Sequence, residues 1–565
     1  MADFSKTRTD LVNTWGQLKN ERSSWWSQWQ EISNYIIPWG GRFFRQDRDK
    51  GHRRGNQIYD NTGIRALKTL GAGLMAGATS PARPWFRLGT HDPALNNAQP
   101  VKLWLSDVGE RMHAVFQKSN TYRALHSVYH ELGAFGTAAS IILPNFNTVI
   151  HQTALTCGEY AIATNPEGEV DTLYREFEMR VSEMIKEFGR DACSSTVKSL
   201  YDQGNNQAWI PVIHAIEPRY YRDPTKRDVR NMKWGSYYFE LGGDSNKALR
   251  ETGFNQFPGV APRWDVSGGD IYGNSPGMEA LGDVKQLQHE QLRKAQGIDY
   301  QTKPPLQMPT EMKNREVDAM PGGITYVAGG QNQKIESLFN VRLDLQYLIE
   351  DIREVQGRIN QSFFKDIFLM FESMEDPNMT ATEVAARQEE KMLMLGPVLE
   401  RLDNELLYPL IEVTFTHMIE MGAIPPPPQE LVGMDLAVEF VSVLAQAQRA
   451  VGTNSVDRFV GSLGSVAGLK PEVLDKFDSD AWADKYSDML GVDPALIISG
   501  NQVAVVRQAR AKAQAAQQSA AVAEQASGAA KNFAQAGQAT QGGGPGSDVM
   551  NMFSGYQSPG PTEVQ

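Results

Sequence analysis

Two stretches decide the fold: MEALGDVKQLQHEQLRKAQGIDY, residues 278–300, and VRLDLQYLIEDIREVQGRINQSFFKDIF, residues 341–368. In both, apolar side chains recur every three or four positions, the spacing of one face of an amphipathic helix. Residues 304–340 between them are rich in Pro and Gly, as in PPLQMP and MPGGITYVAGG, which is typical of extended, turn-rich chain. We therefore predict two long helices that pair and carry this excursion at one end.

The bulk composition is that of a large globular protein. The 565 residues are 41% hydrophobic and 22% charged, close to ordinary usage. No window approaches the roughly 18 apolar residues needed to cross a bilayer, so we expect no membrane partner. The net charge of −12 argues against tight wrapping of nucleic acid, which needs clustered Lys and Arg, but it allows loose contact with DNA.

Upstream of the two stretches, the sequence predicts helices first and strands afterwards. The apolar stripe over 11–36 predicts one helix that stops at Pro38, and similar patterns predict helices over 64–75 and 101–138. From 140 to 259 the period shifts towards two, as in TVIHQTALT, WIPVIHAI and WGSYYFEL, which indicates antiparallel strands. The predicted fold class is therefore mainly α with a mixed α+β region.

Downstream of the second stretch, the pattern changes several times. The successive segments are a loop at 369–379, a long helix over 380–425 that Gly396-Pro397 should kink, a mostly helical region to 492 beyond the stiff linker Pro425–Pro428, an Ala- and Gln-rich helix at 501–535 and a disordered tail at 536–565. The Ala- and Gln-rich helix has few large apolar groups to bury, so we expect it to need identical neighbours for full order.

Motifs that suggest enzyme chemistry each lack a required partner. GNSPG at 273–277 matches the G-x-S-x-G nucleophile motif, but proline follows Ser275 and supplies no N–H for an oxyanion hole. We expect Ser275 to cap the next helix instead. His126 and His130 lie four apart on a predicted helix, without the Glu of a zincin motif or a third ligand. The two cysteines, Cys157 and Cys193, form no CxxC pair. We therefore predict no catalytic residue, no metal and no cofactor.

Several segments, taken in order, resemble the head-to-tail connectors, or portal proteins, of short-tailed bacteriophages related to the T7 group. The resemblance covers about residues 5 to 425 and is carried by LMAGATSPARPWFRL (74–88), ELGAFGTAAS (131–140), LYREFEMRVSEMIKEFG (173–189), YGNSPGMEALGDVKQLQ (272–288), TKPPLQMP (302–309) and MTATEVAAR (379–387). Each segment alone is a weak signal, but their shared order makes the set specific.

The resemblance implies a portal fold that assembles as a homo-oligomeric ring of about twelve subunits. Its parts are then a wing at 1–275, a first stem helix at 276–303, a clip at 304–340, a second stem helix at 341–368, a tunnel loop at 369–379, a long kinked helix returning to the wing at 380–425, a helical crown at 430–535 and the disordered tail at 536–565. The order of elements predicted from periodicity agrees with this arrangement.

The cations of the two stem helices are candidates for lining a DNA channel. They are Lys285, His289, Arg293, Lys294, Arg353 and Arg358. The tunnel loop carries three acidic residues and no Lys or Arg, which favours a steric collar over a salt-bridge grip on DNA. Its candidate residues are Phe371, Glu372, Ser373, Met374, Glu375, Asp376 and Asn378.

As a portal, the chain is expected to sit at one capsid vertex as the conduit for genome packaging and ejection. The implied partners are double-stranded DNA, the terminase, the major capsid protein and scaffold, a tail adaptor protein and internal core or ejection proteins. The implied location is the virion, with the host cytoplasm during assembly. The alternatives are another structural virion protein, such as a tail adaptor or internal core protein, and, more remotely, a hydrolase.

Overall fold

The computed structural model describes residues 7–43, 55–92, 95, 98–226, 228–243, 246, 248–302, 306–307, 336–337, 345–368, 395–431, 436–441, 459–468, 470–490 and 500–539. The chain divides into two compact units, Met1–Glu472 and Val473–Gln565. Within the described residues, no helix combines the length and the apolarity that crossing a bilayer requires.

Four helices open the first unit. They are α1 (Arg8–Tyr35), α2 (Thr62–Ala78), α3 (Gln99–Lys118) and α4 (Thr121–Phe135). A capping box starts α1, in which the Thr7 hydroxyl accepts from the Asp10 N–H and the Asp10 carboxylate accepts from the Thr7 N–H. Helix α1 ends three residues before Pro38, as predicted. Helix α4 ends at Gly136, whose φ of +76° favours glycine.

The strands that follow form two antiparallel sheets, which confirms the predicted change of period. Strands β2 (Ala139–Asn145), β3 (Val149–Leu155) and β9 (Gly259–Val260) form the smaller sheet, in the order β3-β2-β9. The larger sheet has the order β4-β5-β6-β7-β8, with β4 (Tyr160–Thr164), β5 (Val170–Arg180), β6 (Trp209–Pro218), β7 (Trp234–Glu240) and β8 (Arg250–Phe254). Short helices α5 (Val181–Phe188) and α6 (Ser195–Asp202) connect β5 to β6.

Two long helices follow, as the opening stretches predict. Helix α7 spans Pro276–Thr302 and helix α8 spans Leu345–Ser362. Of the excursion at 304–340, the described residues are β10 (Leu306–Gln307) and β11 (Glu336–Ser337), which pair antiparallel. Residues 341–344 of the predicted second helix lie outside the described residues.

The second helix was predicted to run unbroken to Phe368, and this is wrong. It breaks at Phe364, which has a φ of +53°, and resumes as α9 (Lys365–Phe368). The break brings Phe368 against α2, where a Cβ on Gly73 would overlap the Phe368 ring. Gly73 of α2 therefore allows the close approach of Phe368.

The helix predicted over 380–425 is described from its Gly396-Pro397 position onward. It consists of α10 (Gly396–Leu402), a π-helical turn (Asp403–Leu407) and α11 (Tyr408–Glu420). Pro409 has no N–H to donate to the Glu405 carbonyl, so the wider turn falls just before it. Residues 380–394 lie outside the described residues.

The region beyond the proline linker was predicted to be mostly helical, and one strand departs from that. Strand β12 (Leu436–Phe440) pairs antiparallel with β1 (Phe86–Thr90), with Phe86 opposite Phe440. A helix follows at 459–467 and is counted as α12. The strand is stabilised by its pairing with β1. Since β1 lies far upstream in sequence, the local periodicity of residues 436–440 gives no signal for this pairing.

The second unit contains α13 (Ser479–Leu490) and α14 (Gly500–Ala539). The Ala- and Gln-rich helix is thus confirmed as a helix and is slightly longer than predicted. Nearly all of its described side chains are exposed, including Val505 at 67% and Val522 at 64%. An ion pair joins Arg507 of α14 to Asp480 of α13 at 2.6 Å.

Candidate functional site: the paired long helices

Helices α7 and α8 pack along an apolar seam. Val284 and Leu287 of α7 and Ile352, Val355 and Ile359 of α8 are all at most 4% exposed and belong to the main core cluster. These are positions that the three-and-four spacing predicted to share one face. The seam fixes which faces of the two helices remain available for a ligand.

The start of α7 is held by Ser275 and by two glycines. The Ser275 hydroxyl accepts from the Met278 N–H at 3.0 Å and donates to the Ala134 carbonyl of α4 at 2.7 Å. A Cβ on Gly136 would overlap the Gly273 carbonyl, and one on Gly277 would crowd the Ala134 carbonyl. The GNSPG segment therefore caps α7, as the sequence predicted, and its glycines also allow a close backbone crossing that was not predicted.

A polar network ties both long helices to the segment before α2. The Asp60 carboxylate accepts from the side-chain amides of Gln291 at 3.0 Å and Gln356 at 2.9 Å. Gln288, only 4% exposed, accepts from the backbone N–H groups of Tyr59 and Asp60 and donates to the Asp60 carbonyl. Sequence reasoning missed this network. Its one signal was the row of Gln residues beside the apolar stripes.

Two of the six candidate channel cations form ion pairs within the chain. Lys285 lies 2.8 Å from the Glu31 carboxylate of α1. Arg358 lies 3.2 Å from Asp283 and 3.0 Å from Glu354, and the Asp283 carboxylate raises the pKa of its guanidinium. Both pairs are partly solvated, so water and salt weaken them and neither contributes much to stability. Their charges are nevertheless balanced locally.

The other four candidate cations form no ion pair with another described residue. His289 and Arg293 are exposed on α7, Arg353 is exposed on α8, and Lys294 is half-buried. His289 and Arg293 are four residues apart, so they lie on one face of α7. Within the described part of the chain, two of the six candidates thus have an ion-pair partner and four have none.

Two carboxyl groups face each other between the helices. Glu290 of α7 is 8% exposed and accepts from the Gln286 amide at 2.6 Å. Burial raises the pKa of Glu290, and the nearby Asp351 carboxylate of α8 raises it further. The helix pair therefore carries carboxyl groups as well as basic side chains along its length.

The candidate enzyme groups are placed unfavourably for chemistry. Ser275 is 1% exposed, so its hydroxyl does not reach a substrate. The Nδ1 atom of His130 bonds the His126 carbonyl at 2.7 Å, and burial lowers the pKa of His130. Among the described residues, no group of three or more His, Cys, Asp or Glu side chains is arranged to hold a metal ion.

The tunnel-loop candidates at 371–378 lie outside the described residues. So does most of the predicted clip at 304–340. For these two segments the sequence predictions stand as predictions.

The sequence pattern of the family "Bacteriophage head to tail connecting protein" matches residues 8–498. The chain belongs to this family. Two relatives match over nearly the full length of both chains. The "Probable portal protein" of Bordetella phage BPP-1 is 59% identical over 547 residues, which are 97% of this chain and 98% of that protein. The "Portal protein" of Salmonella phage epsilon15 is 44% identical over 538 residues, 95% of this chain and 96% of that protein.

Two solved structures that match this chain weakly come from a gene transfer agent (GTA). One is the virion of the native GTA particle, with a TM-score of 0.37 and 11% identity over 77% of this chain and 90% of that chain. Another is the neck of the native particle computed with C12 symmetry, with a TM-score of 0.34 and 12% identity over 77% of this chain and 94% of that chain. With the family match and the relatives, the head-to-tail connector function expected from the sequence is confirmed.

Proposed function

We propose that this connector forms a closed ring of about twelve copies at one capsid vertex and that double-stranded DNA passes through its axis during packaging and ejection. The observation that carries the proposal is the near full-length match to phage portal proteins. The geometry agrees with it. Helices α7 and α8 form a packed pair, and the short strands β10 and β11 lie in the segment that joins them. Cations without an ion pair to another described residue lie along the two helices.

In this proposal each part of the chain takes one position in the ring. The wing comprises 1–275, the stem helices 276–303 and 341–368, the clip 304–340, the tunnel loop 369–379, the returning helix 380–425, and the crown 430–535 ahead of the tail at 536–565. Strand Leu436–Phe440 is an exception within the crown, because it pairs with Phe86–Thr90 of the wing. The exposed α14 helix would bury its small side chains against the same helix of neighbouring copies.

The net negative charge of the chain suits a channel for DNA. Each chain carries −12, so a ring of such chains repels DNA from its wall and favours sliding over binding. The four unpaired cations, His289, Arg293, Lys294 and Arg353, are the groups best placed to make transient phosphate contacts. Lys285 and Arg358, engaged with Glu31 and Asp283, are assigned to structure instead. The acidic tunnel loop would act as a steric collar.

The partners follow from this role. No nucleotide-binding motif is evident in the sequence, so a separate motor would supply the work of packaging. In this proposal the motor is a terminase that docks on the clip. The wing would meet the major capsid protein and scaffold, and a tail adaptor and internal core or ejection proteins would attach later. The ring would form in the host cytoplasm and remain in the virion.

A charge-reversal experiment tests the channel assignment. Arg293→Glu combined with Arg353→Glu should leave ring formation intact and lower the yield of DNA-filled particles severalfold, because two of the four cations offered to the phosphates are then replaced by carboxylates. Lys118→Glu with Lys186→Glu, at exposed positions of α3 and α5, changes the charge equally, is the matched control and should package normally. Wild-type yields from the double variant would remove these residues from the channel.

A further inference from the structure

The described residues of the loop 219–233, between β6 and β7, are held by several hydrogen bonds although most of them are exposed. The Arg219 guanidinium donates to the Val229 carbonyl at 2.6 Å, the Thr252 carbonyl at 2.8 Å and the Glu251 carboxylate at 3.0 Å. Asn231 accepts from the Asp223 N–H at 2.8 Å. These bonds fasten the loop to β8, the edge strand of the larger sheet.

This hydrogen-bonded loop presents aromatic and basic side chains to solvent. Tyr220 is 82% exposed and Tyr221 is 76% exposed, and Arg222, Arg230 and Lys233 are exposed beside them. The loop sequence RYYRDPTKRDVRNMK holds six Lys or Arg residues and two Asp residues, in a chain whose net charge is −12. Tyr and Arg on a preorganised loop are the usual anchors of a protein interface.

At the same end of the larger sheet, the loops beside the other edge strand, β4, are acidic. The turn between β4 and β5 exposes Glu167 and Glu169, and the loop after Arg263 exposes Asp265 and Asp270. Arg263 holds the two segments together by donating to the Gly168 carbonyl at 2.7 Å and the Ile271 carbonyl at 3.5 Å. The four carboxylates form no ion pair with another described residue.

Register places both surfaces at one end of the sheet. Thr164 pairs with Val170 at the β4–β5 turn, Leu173 pairs with Ile216, and Pro218 pairs with Trp234 at the base of the basic loop. Strands lie about 4.8 Å apart, so four spacings put the β4 and β8 edges on the order of 19 Å apart. At this end the acidic turn thus lies on the β4 side and the basic loop, bonded to β8, lies on the β8 side, with the β5–β6 pair between them.

We infer that the basic loop 219–233 of one copy docks on the acidic loops 165–169 and 265–270 of the neighbouring copy. This inference rests on the proposed ring. A head-to-tail contact of this kind joins two different surfaces of the same chain and closes into a ring when the rotation permits. Tyr220 would lie at the centre of the contact, with the ion pairs around it. Nucleic acid is the other occupant that such a loop could take, and the experiment separates the two.

The test is a charge swap in the full-length chain, read by mass photometry across a dilution series. Arg222→Glu with Arg230→Glu should raise the concentration at which rings form at least tenfold. Adding Glu167→Arg and Asp270→Arg to that variant should restore assembly. Lys118→Glu with Lys186→Glu, an equal charge change at exposed positions elsewhere, should assemble as wild type does.

The remaining outcomes would overturn the contact. Rings from the loop variant at wild-type concentrations, or an assembly defect that the swap does not restore, would show that these surfaces do not meet. Normal assembly together with lost binding of a DNA duplex would assign the loop to nucleic acid. If the wild-type chain forms no rings in any condition, the ring itself fails and the contact with it, so the two failures are distinguishable.

Discussion

Glu131, on α4, is a buried carboxyl group that should make the stability of this chain depend on pH near neutrality. It is 8% exposed, accepts from the Thr156 hydroxyl at 2.7 Å and accepts from the Cys157 N–H at 3.0 Å. Burial is the largest cause that raises its pKa to about 7, from an ordinary 4.5. The two hydrogen bonds oppose this rise without cancelling it.

The sign and size of the effect follow from proton linkage. Between pH 4.5 and about 7 the folded chain binds a proton at Glu131 that the unfolded chain has released. Stability therefore falls as pH rises through this window and levels off above it. A rise from 4.5 to about 7 corresponds to about 3 kcal/mol, since one pKa unit is about 1.4 kcal/mol.

Glu131→Gln removes the titration and keeps an amide oxygen that can accept from the Cys157 N–H. Urea unfolding of the full chain at intervals from pH 5 to pH 8 should show similar stabilities near pH 5 and a variant more stable by about 2–3 kcal/mol at pH 8. Exposed Glu110→Gln on α3 is the matched control and should follow wild type throughout. A difference between Glu131→Gln and wild type that does not change with pH would refute this reasoning.

Three further substitutions test the helix pair and its supports. Phe363→Ala, at a fully buried position after α8, should lower the free energy of unfolding by about 3–5 kcal/mol through the cavity it leaves. A loss of stability under about 1 kcal/mol in urea unfolding would mean that the apolar seam does not extend to this position. Arg263→Met should cost about 1–3 kcal/mol, because the Glu405 carboxylate loses the guanidinium 2.7 Å away and keeps only Arg401 at 3.1 Å and the backbone N–H of residue 263. Adding Glu405→Leu should recover part of the loss, and no recovery would contradict the pairing. Ser275→Ala should cost about 1 kcal/mol as a lost cap and leave hydrolysis of an activated ester at the wild-type background; turnover that disappears with Ser275 would revive the hydrolase alternative.

The helices were predictable because their cores are local. The three-and-four spacing over 278–300 and 341–368 is enough to predict the buried seam residues Val284, Leu287, Ile352, Val355 and Ile359. Periodicity reports which face of an element is apolar, and a long helix buries that face whatever it packs against. The same logic predicts α1, α2 and the change to strands after 140.

What the sequence did not predict depends on contacts between distant segments. Strand Leu436–Phe440 pairs with Phe86–Thr90, and the helix that breaks at Phe364 continues to Phe368, which lies against Gly73 of α2. The buried pair of Arg263 and Glu405 joins residues 142 apart. None of these partners is visible in the local pattern of either segment.

The candidate site was predictable in its composition and unpredictable in its pairing. All six cations of α7 and α8 were named from the sequence, but periodicity could not tell that Lys285 meets Glu31 or that Arg358 meets Asp283. The Gln network around Asp60 was missed for the same reason, since its members lie 228 or more positions apart from Asp60. Charge type follows from sequence, whereas charge balance needs the fold.

Electron cryomicroscopy of the purified full-length chain tests the central claim most directly. The proposal predicts closed rings of about twelve copies with an axial hole, in which α7 and α8 stand around the axis and His289, Arg293 and Arg353 face the opening. A stable monomer in all conditions, or rings whose axis is lined by another part of the chain, would contradict it.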